Sequence, residues 1–158
     1  MDLSEQDLKK IKSLHVMLKM PIWILERETN RVLKSYKSIY KHPISYEFKE
    51  KNISDEVVRF YSGMLNEIFL CLWYQDVRIV IGAFRINNVT STEFSHVYDN
   101  LTPENKKILS EKECWEYYSS LPVYPLGDIR DYLILLGFLF DMNLEEIYSE
   151  ELHRSEER

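Results

Sequence analysis

The chain has 158 residues, of which 45% are hydrophobic, 29% charged and 13% aromatic. That balance excludes a disordered chain, and the length suits one compact domain spanning 1–158 that buries about two-thirds of its unfolded surface. A net charge of -6 argues against a nucleic-acid surface, which needs cations to neutralise phosphates, and only 4 glycines leave little material for a phosphate-cradling loop. Cys71 and Cys114 stand in apolar surroundings outside any Cys-x-x-Cys pair, so both are expected as free, buried thiols. The opening Met1-Asp-Leu-Ser-Glu-Gln lacks the apolar core of a secretion signal, and the longest apolar run, Leu133 to Phe140, is too short to span a bilayer. A cytoplasmic protein without membrane contact is therefore expected.

The N-terminal segment 1–20 reads as an amphipathic helix. Ser4 is a candidate N-cap with Asp7 three residues on, and Leu8, Ile11, Leu14, His15 and Leu18 recur at helical spacing before Pro21 stops the helix. Residues 21–86 read as a sheet-rich core. Pro21 to Glu26 and Arg31 to Tyr36 are branched and aromatic runs around a turn-like break, which predicts a hairpin. Lys37 to Asn52 reads as irregular. Ser54, followed by Asp55 and Glu56, predicts the start of a helix whose apolar side is Val57, Val58, Tyr61, Met64 and Leu65.

Glu67 to Ile86 carries the clearest strand signal, two long strands meeting near Gln75-Asp76. Ile68, Leu70 and Leu72 fall on one face; Phe69, Cys71 and Trp73 fall on the other. A sheet apolar on both sides must be covered twice. Helices supply one cover; another helix, a ligand or a partner subunit supplies the second. Gly82 interrupts this run and marks a bulge, a kink, or the close approach of a ligand or backbone.

Residues 92–152 read as helical. Thr102-Pro103-Glu104 and Ser110 to Glu113 are start signals, while Leu121-Pro122 and Pro125 break the chain. Ile129, Tyr132, Leu133, Leu136 and Phe140 mark a helix apolar nearly all round, which belongs in a core or an interface. Asn143 caps a last helix bearing Ile147, Tyr148 and Leu152, and the charged end from His153 is expected to fray.

Tests for chemistry find little. There is no Gly-x-Ser-x-Gly elbow and no Walker or dinucleotide motif. His15, His42, His96 and His153 are scattered, so no metal and no cofactor is expected. The carboxylates of Glu111, Glu113, Glu145 and Glu146 sit at helix starts and read as solvated surface, and His15 reads as a packed or interface histidine. The aromatic residues either fill the core or line a cavity.

Three segments carry a resemblance. Leu18 to Leu25, Val77-Arg-Ile-Val-Ile-Gly-Ala-Phe84 and Tyr117-Tyr-Ser-Ser-Leu-Pro122 resemble, in order, parts of the N-terminal sensory domain of AraC-type transcriptional regulators of Gram-positive bacteria, including regulators of surface-antigen and virulence genes. Ala83 stands where that family often has proline. The resemblance implies an α+β fold of PAS or GAF type, with a central antiparallel sheet from two hairpins flanked by helices and a helical C-terminal part. It also implies a regulatory sensor rather than an enzyme, signalling through its terminal helices. No pair of helix-turn-helix units is recognisable, so DNA contact is not expected of this chain. The expected effector face, for a small molecule or peptide, comprises Trp23, Phe69, Cys71, Trp73, Gly82 and Phe84. The first helix either packs on the domain or pairs with a second copy; the expected homodimer contacts run through Leu8, Ile11, Leu14 and Leu18, or through Leu135, Phe138 and Leu139. The competing readings are a stand-alone protein-interaction module without a small-molecule site and a small enzyme on a GAF-like scaffold.

Overall fold

A computed structural model of the protein describes residues 3–37 and 56–156. The chain is α+β. Helix α1 (Glu5–Leu18) precedes the strands β1 (Ile22–Glu26), β2 (Val32–Tyr36), β3 (Val58–Ser62), β4 (Ile68–Tyr74) and β5 (Val77–Phe84). Helices α2 (Ser91–Asp99), α3 (Pro103–Ile108) and α4 (Glu111–Ser120) follow, then a short 3-10 turn, α5 (Ile129–Phe140) and α6 (Leu144–Glu156).

Both expected hairpins form, and the five strands make one sheet in the order β2-β1-β5-β4-β3, every neighbouring pair antiparallel. The β4–β5 turn is as short as the sequence suggests: Tyr74 pairs with Val77, and Gln75 takes the left-handed conformation. β1 pairs with β5 across about fifty intervening residues, so the first hairpin is held by the last strand.

The helix expected over Val57 to Leu65 is a strand and a turn. Val58-Arg-Phe-Tyr-Ser62 is branched and aromatic, a composition that packs well on a pleated surface, and β4 offers it a full ladder from Val58–Leu72 to Ser62–Ile68. The turn that follows is built around the fully buried Glu67. Its carboxylate accepts the Leu65 N–H at 3.2 Å and occupies the space where a side chain at Gly63 would begin. The proposed Ser54 cap and almost all of the expected irregular segment lie outside the described residues.

The two faces of the sheet are covered by different helices. One face presents Ile22, Ile24, Leu70, Leu72, Ile79 and Ile81 to Ile11 and Leu14 of α1 and to Leu133, Leu136 and Phe140 of α5. The other presents Leu25, Phe69, Cys71, Val80 and Ala83 to Phe94 of α2 and to Cys114, Tyr117 and Tyr118 of α4. The second cover is thus a helical layer of the same chain.

The chain passes from one layer to the other beside the end of β5, and Arg85 fixes the crossing. Its backbone brackets Val123, with Arg85 N–H donating to Pro122 O (2.8 Å) and Tyr124 N–H donating to Arg85 O (2.7 Å). Its guanidinium donates to the carbonyls of Leu121 and Ser119, the end of α4. Leu121 is therefore buried in one layer while Tyr124, three residues later, packs in the other.

The helix ends follow their sequence signals. Ser4 and Asp7 form a reciprocal capping box, and Thr90, Thr102 and Ser110 each accept the N–H three residues on. Asn143 likewise accepts the Glu146 N–H, and the backbone of α6 continues to Glu156, past the point where fraying is expected. α6 is tied to the edge strand by Glu151, whose carboxylate accepts the N–H groups of Val57 (2.7 Å) and Val58 (3.3 Å).

Asp7 also accepts the Tyr74 hydroxyl at 2.9 Å, linking the start of α1 to the end of β4. Burial by itself raises the Asp7 carboxyl. The hydrogen bonds from Tyr74 and Ser4, with Lys10 nearby, outweigh it and hold the group below its ordinary 3.8. A carboxyl depressed in the fold contributes stability above its unfolded value and loses it as the pH falls through the folded value. Urea denaturation of wild type and Asp7→Asn is expected to show the variant less stable at pH 7, with the two curves converging as the pH drops below 3.8. A stability gap that stays constant across that window contradicts the role given to Asp7.

Candidate functional site

Between α1, the sheet and α5 lies an apolar pocket of about 50 Å³. α1 and the residues after it supply Leu14, Leu18 and Met20; the sheet supplies Phe60, Leu70, Ile81 and Phe84; the approach to α5 and α5 itself supply Tyr124, Tyr132, Leu135 and Leu136. Leu135 is 48% exposed, so the pocket reaches the surface along α5. None of these side chains is charged.

Tyr124 organises the wall. Its hydroxyl donates to Leu18 O at 3.1 Å, and its ring packs edge-on against Phe84 (5.8 Å) and Tyr132 (5.1 Å). The crossing held by Arg85 delivers Tyr124 to this position.

The expected effector face does not form as a unit. Phe69 and Cys71 lie on the face covered by α2 and α4, and Trp73 follows them on that face by strand alternation; each is no more than 7% exposed. Trp23 tilts against Phe69 on that side at 6.3 Å. Trp73 is gripped by Arg78 and Arg27, whose guanidinium carbons lie 3.8 and 4.3 Å from its ring centroid. Phe84 is on the opposite face and lines the pocket. The reason is a bulge: Phe69 pairs with Gly82 but Ile68 with Phe84, so Ala83 is an extra residue that reverses the alternation. At Gly82 the bulge brings backbone close, for a Cβ there would lie 2.7 Å from the Phe69 ring and 2.9 Å from Ile68 O. Of the readings open for Gly82, the structure shows the bulge and the close approach of β4.

The α1 stripe expected at a dimer contact is committed to this chain's own core. Ile11 and Leu14 are buried, and Leu8 and Leu18 pack against the same cluster. Amphipathic spacing gives no clue to which apolar surface a helix will cover. On α5, Leu139 also packs against the core, whereas Leu135 and Phe138 are exposed, Phe138 to 81%. Phe60 escaped notice as a site residue because its segment reads as a helix; the branched and aromatic run Val58 to Tyr61 is the signal that would have found it.

The titratable groups do not converge. Burial pushes the Cys71 thiol up to about 12, with Arg78 opposing, and burial also raises Cys114. His15 is a packed residue: its Nδ1 lies 2.6 Å from Met20 O and its ring stacks on Tyr36. Among the described residues no group of three or more His, Cys, Asp or Glu is placed to hold a metal ion, and no helix is long and apolar enough to cross a membrane. No family model, curated protein or solved structure matches the chain.

Alkylation needs a thiolate within reach of reagent. Iodoacetamide at pH 8 is expected to leave native Cys71 and Cys114 unmodified and to label both in urea, as read by intact mass. Rapid labelling of native Cys71 contradicts the closed packing of its face.

Proposed function

We propose that this chain is a regulatory sensor domain of PAS or GAF type, and not an enzyme, whose effector is a small apolar molecule bound between α1, the sheet and α5. The single observation that carries the reading is the pocket. It is lined without charge, reaches the surface, and has walls contributed by the first helix, the sheet and a late helix together. A group bound there touches the first helix, the sheet and the late helix at once. Differential binding to two packings of those elements is the physical requirement for a sensor. An acyl-transfer or hydrolytic site needs a nucleophile, a base and an oxyanion donor converging on one point. The pocket's side chains offer only tyrosine hydroxyls, and that of Tyr124 is engaged by Leu18 O. The resemblance to the sensory domains of AraC-type regulators points the same way.

Titration of the protein with 1-hexanol, followed by amide NMR, tests the reading. Shifts are expected at Leu18, Ile81 and Leu136, with a rise in Tm of about 2–4 °C for each kcal/mol of binding stabilisation. Leu136→Phe, which fills the pocket, is expected to remain folded and to lose both responses. Absence of shifts in wild type, or their survival in Leu136→Phe, removes the reading.

A second reading, an interaction module that assembles with a copy of itself, is favoured by the exposed apolar side of α5, where Ile134, Leu135 and Phe138 stand at 37, 48 and 81% exposure. Light scattering after size exclusion separates it: a dimer that Phe138→Ser returns to monomer supports assembly, and a wild-type monomer at high concentration excludes it.

A further inference from the structure

We infer that the pocket takes the end of an aliphatic chain, and that its occupancy is read by α6 through Phe60 and the clamp of Glu151 on β3. The inference rests on the sensor reading and adds the ligand's chemistry and the path of the signal. Size sets the chemistry. The space is about 50 Å³, well below the roughly 150 Å³ of a cavity that holds benzene, so a few methylenes fit and a whole ring does not. A charged or strongly polar group at the bottom would lose its hydration to a wall that offers no compensating charge. The exit runs past Leu135, and Phe138 stands one turn further on the same helix face, itself 81% exposed. A longer chain leaves the pocket along this apolar ridge with its polar head in water.

The path begins at Phe60. Its ring forms part of the pocket wall and packs edge-on against Phe84 at 6.5 Å and against Tyr148 of α6 at 5.4 Å. Glu151, three residues beyond Tyr148 and on the same side of α6, holds the Val57 and Val58 N–H groups two to three residues before Phe60. One face of α6 therefore supports both the ring in the wall and the backbone that carries it. With α6 docked, Phe60 is held back and the cavity is open. With α6 released, Phe60 loses Tyr148 as a neighbour and is free to turn into the cavity. An aliphatic ligand binds the docked state better and so favours it. By thermodynamic reciprocity, loosening the clamp weakens the ligand even though the clamp does not touch it.

The test uses the full chain with 1-hexanol and, as a chain of equal length that is polar at both ends, 1,6-hexanediol. 1-Hexanol is expected to shift the pocket amides and to slow hydrogen exchange at Val57 and Val58, and the diol to do neither. Glu151→Gln and, independently, Tyr148→Leu are expected to weaken 1-hexanol binding about fivefold or more, the low end of ordinary allosteric coupling. Ile108→Ser, on the exposed side of α3, is expected to leave affinity and exchange unchanged. Binding of 1-hexanol with Val57 and Val58 exchange unmoved, and with unchanged affinity in both α6 variants, overturns the path to α6 and leaves the sensor reading standing. Equal binding of the diol overturns the ligand class. Absence of pocket binding by either alcohol overturns this inference together with the sensor reading.

Discussion

The hairpin of β4 and β5 is apolar on both of its faces, and the rest of the fold follows from covering it. Leu70, Leu72, Ile79 and Ile81 on one side and Phe69, Cys71 and Val80 on the other are at most 5% exposed. At roughly 25 cal/mol for each Å² of apolar surface removed from water, leaving either side bare would cost an amount comparable to a domain's whole net stability. One layer therefore cannot suffice. α1, α5 and α6 take one face, α2 and α4 the other, and the chain must change sides between α4 and α5.

That change of side builds the candidate site. Arg85, the first residue beyond β5, holds the crossing segment by backbone pairing with Pro122 and Tyr124 and by guanidinium contacts to the last carbonyls of α4. Tyr124 then reaches α1 through Leu18 O and the sheet through Phe84. The bulge at Gly82 to Phe84 completes the arrangement, since strict alternation would have turned Phe84 towards α4. A polar anchor and one extra residue thus place two aromatic walls around a space that neither helix fills.

The layer holding the pocket is fastened at its edges by carboxylates. Asp7 joins α1 to β4 through Tyr74, and Glu151 joins α6 to the start of β3. Each uses a directional contact where apolar packing alone would allow sliding. α5, by contrast, is held by its buried stripe and keeps an apolar outer side. A layer with firm edges and an incompletely packed middle is well suited to a change in packing that starts at the pocket.

What the sequence by itself determined were features governed by local chemistry. The capping residues Ser4, Thr102 and Ser110 start their helices, the Gln75-Asp76 turn joins two strands, and the alternation from Ile68 to Trp73 divides correctly between two faces. Tertiary structure decided the rest, because each remaining question compared partners far apart in the chain. Val58 to Ser62 became a strand because β4 presented a free edge, and Phe84 changed face because a single added residue in β5 shifted the register. The stripe of α1 is apolar by its spacing, which suits packing on the domain and pairing with a second copy alike; the chain's own sheet takes it. Periodicity records that a side chain must leave water; which surface receives it, and whether a gap is left there, depends on how all the layers pack together.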